Sequence, residues 1–315
     1  LQSTKLLSSA YDHLLWYARN RQKVKYRQLY REKVPGEAGA TGYTLVQDEN
    51  FKIRSMTKDE KDDPSSLSPS LRVLDGTPLI SGGASEDSEA IIFRGEKFNL
   101  RPNAHWKTHT EGRCRLLKAD RIIKLGNRIE YKMFLGDFGQ TEIDNFWQSG
   151  GQRGFTGEKI YVVQTAPDIA QRAVLMTSDP GDLVLDPTCG SGTTAFSAEQ
   201  LGRRWITMDT SRVSLALARS RMMGAKYPYY YLADSKEGQE KEQNVSREIQ
   251  PNAPTHNDIR QGFVYERAPH IMLKTIANNA EIDVIWEEYQ EPLEEYRQIL
   301  NTKLNESWEE WEIPR

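Results

Sequence analysis

Leu183-Val184-Leu185-Asp186-Pro187-Thr188-Cys189-Gly190-Ser191-Gly192-Thr193-Thr194 decides how this chain of 315 residues is read. Leu183 to Leu185 is a continuous apolar run of the kind buried in a parallel sheet. A helix is expected from about Ser191 to Leu201, stopped by Gly202. Between them, Gly190 and Gly192 let the backbone turn tightly and approach a ligand with no side chain in the way. Ligands of open α/β sheets bind outside the carboxyl ends of the strands, where this turn lies. A second acid, Asp209, closes the next strand, Trp205-Ile206-Thr207-Met208, 23 positions after Asp186. A carboxylate there can accept hydrogen bonds from the two hydroxyls of a ribose, so the pair of acids points to an adenosine.

Other ligands compete for such a turn. A triphosphate loop ends in Gly-Lys-Ser/Thr, and no lysine follows Gly192. A dinucleotide turn spaces three glycines as G-x-G-x-x-G, and Ala195 stands third here. Alanine is tolerated at that place, so the dinucleotide reading stays open, although it leaves Asp186 unexplained. An ordinary strand-to-helix turn accounts for neither acid.

Around this turn a strand–helix alternation runs from Lys159 to Asp234. Tyr161-Val162-Val163 is a strand candidate, and Pro167 opens a helix over Asp168 to Thr177. A second helix is expected over Val213 to Met223 and a third strand over Tyr229 to Leu232. The order predicts right-handed crossovers and a parallel sheet covered on both faces. Further out, Tyr11 to Ala18 reads as a short buried strand, followed by alternating cations from Arg19 to Arg27. Pro35 to Arg101 is rich in Gly, Ser, Asp and Pro, with apolar islands at Leu71–Leu74 and Ala90–Phe93. A second basic stretch holds Lys107, Arg113, Arg115, Lys118 and Arg121 among His105, Trp106, Tyr131 and Phe134. Cations interleaved with aromatic rings fit a nucleic-acid surface. Beyond Ser235 a charged connector is expected, then an acidic helical pattern from Ile282 to Leu300, broken by Pro292.

Composition narrows the classes. A net charge of −3 requires any affinity for nucleic acid to be local. Two cysteines, Cys114 and Cys189, make no disulfide framework, and the five histidines show no ligand spacing, so no metal is expected. No apolar run approaches the roughly 20 residues that span a bilayer, and the first residues lack a signal peptide's apolar stretch. No membrane partner is expected, and the cytoplasm is the expected address.

Leu183 to Thr194 resembles the cofactor motif of DNA amino-methyltransferases, which methylate adenine N6 or cytosine N4. The order of segments is similar to the beta class, in particular Type III-like modification subunits. There a strand like Tyr11 to Arg19 precedes the target-recognition region, and a segment like Tyr161-Val162-Val163-Gln164-Thr165-Ala166-Pro167 precedes the glycine motif. The resemblance implies S-adenosylmethionine as cofactor, held by Asp186, Pro187, Thr188, Cys189, Gly190, Ser191, Gly192 and Thr193. Asp209 would take the ribose, Gln164 and Thr165 would flank the cofactor, and Asp234 would approach the adenine. Many relatives have Thr-Glu-Lys-Pro where this chain has Gln164-Thr165-Ala166-Pro167, which removes a charged contact.

The implied fold is α/β: a partial Rossmann-like methyltransferase sheet with an inserted loop-rich target-recognition region and a helical C-terminal extension. Residues 1–33 would be a strand remnant and basic linker, 34–150 the target-recognition region, 151–234 the cofactor domain, and 235–315 the linker and extension. Double-stranded DNA is the implied substrate, with a restriction subunit or a second copy as further partner. The family's catalytic Asp-Pro-Pro-Tyr or Ser-Pro-Pro-Tyr, which takes a flipped base, is absent from the 315 residues. The chain is therefore expected to be a C-terminal portion that binds cofactor without transferring methyl groups on its own. Adenine N6 is the preferred target; cytosine N4, or a non-catalytic recognition module that needs a partner chain, remains the alternative.

Overall fold

A computed structural model describes residues 12–83, 89–147, 165–246 and 254–313. The chain forms two compact units, each discontinuous in sequence: 30–141 with 267–315, and 1–29 with 142–266.

In the first of these, β1 (Tyr30–Glu32), β2 (Leu45–Gln47), β3 (Ile53–Ser55), α1 (Lys58–Asp62), β4 (Arg72–Pro78), β5 (Ile80–Gly82), β6 (Ile91–Phe93), β7 (Glu96–Phe98), β8 (Ala104–Trp106), α2 (Thr110–Lys118), β9 (Ile122–Leu125), β10 (Arg128–Phe134) and β11 (Gln140–Glu142) follow in order. Five of the strands make an antiparallel sheet in the order β3-β2-β4-β10-β9, with Tyr131 opposite Thr77 and Leu45 opposite Leu74. Gly126, at φ +59°, turns the chain between β9 and β10, as the first position of a two-residue hairpin loop requires.

Loops were expected over much of this region. It instead holds the best-packed core of the chain, because the short apolar islands are strands that alternate inward and outward. Leu74 and Leu116 are wholly buried, and Leu79, Ile122, Ile129 and Tyr131 nearly so. Gly, Ser and Asp fill the turns between them.

In the other unit α3 (Pro167–Thr177), β12 (Leu183–Asp186), α4 (Thr193–Gln200), β13 (Arg204–Thr207), α5 (Arg212–Gly224) and α6 (Lys236–Ser246) follow one another. The strands β12 and β13 are parallel, with Leu183 opposite Arg204 and Asp186 opposite Thr207. Three helices and two parallel strands thus follow the reading from Pro167 to Gly224.

Three expectations need correction. First, Tyr229 to Leu232 is not a parallel strand: Leu232 makes one isolated antiparallel bridge to Phe263, while the tyrosine rings pack on one another and on Phe263. Second, among the described residues only one face of β12 and β13 is covered; Leu183, Leu185 and Ile206 are about half exposed or more. Third, residues 12–18 form no strand, and Leu14, Leu15 and Tyr17 are exposed, since no neighbour among the described residues offers them a ladder. Tyr11 and the strand candidate Tyr161-Val162-Val163 lie outside the described residues.

The basic linker is not free either. Arg27 grips Asp179 through two nitrogens at 3.0 Å, and Lys25 pairs with Asp182 and Asp179. Nor is the charged connector all loop. Its first part is α6, where Ser235 accepts the Gly238 N–H at 2.9 Å and good helix formers follow.

The last two helices, α7 (Leu273–Ala277) and α8 (Glu281–Leu304), return to the unit of 30–141. Arg115 and Lys118 of α2 each bond one oxygen of Asp283 at 2.7 Å, fixing the start of α8. Both cations hold the Asp283 carboxyl below its usual range.

Candidate cofactor site

Asp186 ends β12, and the sheet ladder continues past it into the glycine turn: Met208 N–H donates to Asp186 O at 3.0 Å, and Cys189 N–H to Met208 O at 2.8 Å. Thr207 Oγ1 adds a bond to the same Asp186 carbonyl at 3.1 Å. The Asp186 carboxylate folds over the turn, accepting from Thr188 N–H at 2.9 Å and from Thr188 Oγ1 at 3.2 Å. The turn is therefore built onto the end of β13 before any ligand arrives.

Asp209 ties the two halves together. One of its oxygens accepts the Gly190 N–H at 2.8 Å and the other the Ser211 N–H at 2.7 Å. These backbone donors, Ser211 first, hold the carboxyl below the usual aspartate range, so it stays ionised through neutral pH. Each carboxylate oxygen carries a further lone pair, which leaves capacity for a diol. Ser211 itself caps α5 by accepting the Ser214 N–H at 3.3 Å. The serine two places after the acid, just before a helical pattern, was the sequence cue for this contact.

Both glycines carry positive φ, +53° at Gly190 and +76° at Gly192, but they do different jobs. A Cβ on Gly192 would stand 2.9 Å from the Ala218 Cβ, so this glycine lets α5 close on the turn. A Cβ on Gly190 would meet nothing nearer than 3.9 Å, so that side of the turn is open space. Open space above the first glycine, with an ionised acid bonded to its amide, is the cradle an adenosine cofactor needs.

Beneath the turn the structure is packed and polar. Ser191 and Thr193 are buried, and Arg221 of α5 donates to Ser191 O at 3.4 Å and Thr193 Oγ1 at 3.2 Å while lying over the Phe196 ring. Burial lowers the pKa of the Arg221 guanidinium. Sequence reasoning missed Arg221, whose place in the third turn of α5 carries no motif. Cys189 is buried, as a small packing residue should be.

The expected site residues thus separate. Asp186 is bonded to Thr188, Gly190 to Asp209, and Cys189 to Asp186 by way of the Met208 backbone, while Pro187 is exposed on the rim. Ser191, Gly192 and Thr193 support the turn from below. Thr165 is exposed just ahead of α3, and Gln164 lies outside the described residues. Asp234 braces a loop, accepting backbone N–H groups of Asp258 at 3.0 Å and His256 at 3.2 Å on one carboxylate oxygen.

Four of the five expected DNA contacts are engaged within the protein. Arg113 is buried over Trp106, bonding Thr108 O at 3.2 Å and Thr110 Oγ1 at 2.9 Å. Arg115 and Lys118 are spent on Asp283, and Arg121 on Asp137. To reach phosphates, these side chains would have to give up the bonds they make here. Of the five, Lys107 alone is exposed, and it has no ion-pair partner among the described residues.

Comparison with known proteins now bears on this turn. Residues 2–219, well over half of the chain, match the N6/N4 DNA methylase family. The chain belongs to that family. Among curated relatives, the Type II methyltransferase M2.DpnII of Streptococcus pneumoniae is 43% identical over 54 residues, 17% of this chain and 20% of that protein. The Type II methyltransferase M.EcaI of Enterobacter cloacae is 30% identical over 138 residues, 40% of this chain and 29% of that protein. The chain thus spans less than a third of the length of these relatives. A crystal structure of an M1.HpyAVI–SAM complex aligns at 19% identity over 30% of this chain and 50% of that one, with a TM-score of 0.20, too low to argue from.

Proposed function

We propose that this DNA methylase family member binds S-adenosylmethionine in the turn from Asp186 to Gly192, as part of a DNA amino-methyltransferase of the beta class. The observation that carries the reading is the bond from the Gly190 amide to Asp209, which places an ionised acid beside an open glycine turn. Asp209 would orient the ribose through its two hydroxyls, and the backbone from Thr188 to Gly192 would lie along the methionine part. The bound cofactor would supply the methyl group for transfer to an exocyclic amino nitrogen. Ser191, Thr193 and Arg221 would keep the turn rigid, so that little ordering is left to oppose binding.

Adenine N6 within a restriction-modification system is the preferred target, resting on the Type III resemblance. The chain's 315 residues contain no Asp-Pro-Pro-Tyr or Ser-Pro-Pro-Tyr, which supports cofactor binding without methyl transfer by this chain alone. Lys107 is proposed as a duplex DNA contact, in the cytoplasm of a prokaryote. The M2.DpnII and M.EcaI relatives carry the name methyltransferase, in keeping with this reading.

Isothermal titration with S-adenosylmethionine tests it. Saturable binding is expected, weakened at least tenfold, about 1.4 kcal/mol, by Asp209→Asn. The substitution keeps the shape but turns an amide donor against the N–H of Gly190 or Ser211. A folded chain that takes up no cofactor, or one indifferent to Asp209→Asn, overturns the proposal.

A further inference from the structure

The hairpin of β6 and β7, in the unit of 30–141 and 267–315, is a two-stranded sheet that pairs with no other strand among the described residues. Its inner face is anchored. Ile91 and Phe98, directly opposite one another, are buried in the core that holds Leu79 and Tyr131. Its outer face is bare, with Ile92 66% exposed opposite an exposed Lys97. The two-residue loop between the strands is Arg94-Gly95, at φ +50° and +75°. Both places in such a loop require the left-handed region, which glycine, asparagine and aspartate enter most readily. Among the described residues six other than glycine have positive φ, and four of these are Asn or Asp. Phe51, the fifth, sits in a loop closed by backbone bonds to Asp48. Arg94 is the sixth.

Among the described residues nothing in the fold accounts for an arginine at this place. Its guanidinium pairs with no acid there and lies over the Phe93 ring at 5.2 Å. Lys132, whose ammonium burial holds below its usual pKa, feels Arg94 as a further like charge. Asparagine would suit the loop better and remove that repulsion. A residue kept in a strained conformation with no internal return points to a contact outside the chain. The charges say of what kind. Glu96, the one acid between Ile91 and Phe98, is paired with Lys124. Arg94 and Lys97 are left with no counter-charge among the described residues, so the hairpin presents one sign. Trp311 stands 3.9 Å from where a Cβ on Gly95 would lie and braces the tip. A two-stranded ribbon fits the major groove of a duplex, whose walls are phosphates.

We propose that the hairpin Ile91–Phe98 is a duplex DNA contact, its outer face entering the major groove with Arg94 and Lys97 on phosphates and Ile92 toward the base edges. The inference rests on the duplex substrate proposed above and is independent of the cofactor turn.

Fluorescence anisotropy of a labelled mixed-sequence duplex with the full chain, from about 50 to 200 mM salt, tests the contact. Arg94→Asn is expected to raise the urea midpoint, because asparagine suits the loop, and yet to weaken binding several-fold and reduce the salt slope by about one. Lys97→Gln should reduce the slope by as much at an unchanged midpoint. Lys58→Gln, an exposed cation on α1 of the same unit, should change neither. An arginine that served only the fold would give the opposite pattern, a lower midpoint with affinity intact, and that result overturns the proposal. So does a slope lost equally in Lys58→Gln, or a chain with no affinity for the duplex. Titration of the same variants with S-adenosylmethionine keeps the two proposals apart, since a chain that takes up cofactor and ignores DNA overturns this one alone.

Discussion

The two units handle apolar surface in opposite ways. Around β4 and β10 the antiparallel sheet packs against α2, leaving Leu74 and Leu116 with no exposure at all. Along β12 and β13 the parallel pair is covered, among the described residues, by helices on one side only, and Leu183 and Leu185 remain 54% and 59% exposed on the other. Parallel sheets are normally buried on both faces. The closed unit carries its stability inside itself, whereas the open one spends its ordered contacts on a turn that serves a ligand.

The largest expected effect tests this contrast directly. Leu74→Ala should cost about 3 kcal/mol of stability in urea melts, from lost transfer energy and the cavity left behind. Leu185→Ala, the same change on the bare face, should stay within about 0.5 kcal/mol. Equal losses at the two positions would mean that the open face is covered in solution and would break the comparison.

Next in size is the glycine turn. Gly192→Val puts a branched side chain at φ +76° and against the Ala218 Cβ, which should cost about 2 kcal/mol or more. Ala218→Gly in the same chain should recover part of that loss, because it removes the atom in the way. Absence of any recovery would assign the whole cost to the backbone angle.

The smallest effect is a pH dependence in the closed unit. The Asp283 carboxyl is held below its ordinary value of 3.8 by Lys118 and Arg115. A depressed pKa contributes stability above the unfolded value and loses it as pH falls through the folded one. The grip on α8 is therefore full near neutrality and weakens below about pH 3.8. Because the group is exposed to solvent, the change should appear as faster proteolysis near Asn279 and Ala280 on acidification, absent in Asp283→Asn, rather than as a shift of the main melt.

The same contrast explains what the sequence could and could not tell. The turn was legible because its residues are dictated singly: only glycine fits φ +76° beside Ala218, and only an acid in Asp209's place can take amides from Gly190 and Ser211. The helices from Pro167 to Gly224 were legible by their caps and period. The closed unit was not, because its strands are mostly three residues long and no alternation can establish itself over so few positions. The partners of the basic residues were not legible for a related reason. Arg113, Arg115, Lys118 and Arg121 stand close in sequence, but their acids, Glu89, Asp283 and Asp137, are brought to them only by the fold. Asp234 looked like the end of a strand and is instead the brace of a loop that starts more than twenty residues later.

Each unit is also sealed by a clasp made late in the chain. Arg27 and Asp179 lie 152 positions apart, and Arg115 and Asp283 lie 168 apart. Closing loops of that size forfeits chain entropy before any contact repays it, and such folds form slowly. On the ribosome the sheet around β4 can assemble early, yet α2 waits for its clasp until more than half of the chain has followed it out of the exit tunnel. Until then the apolar side of α2 is the surface that a holding chaperone would find.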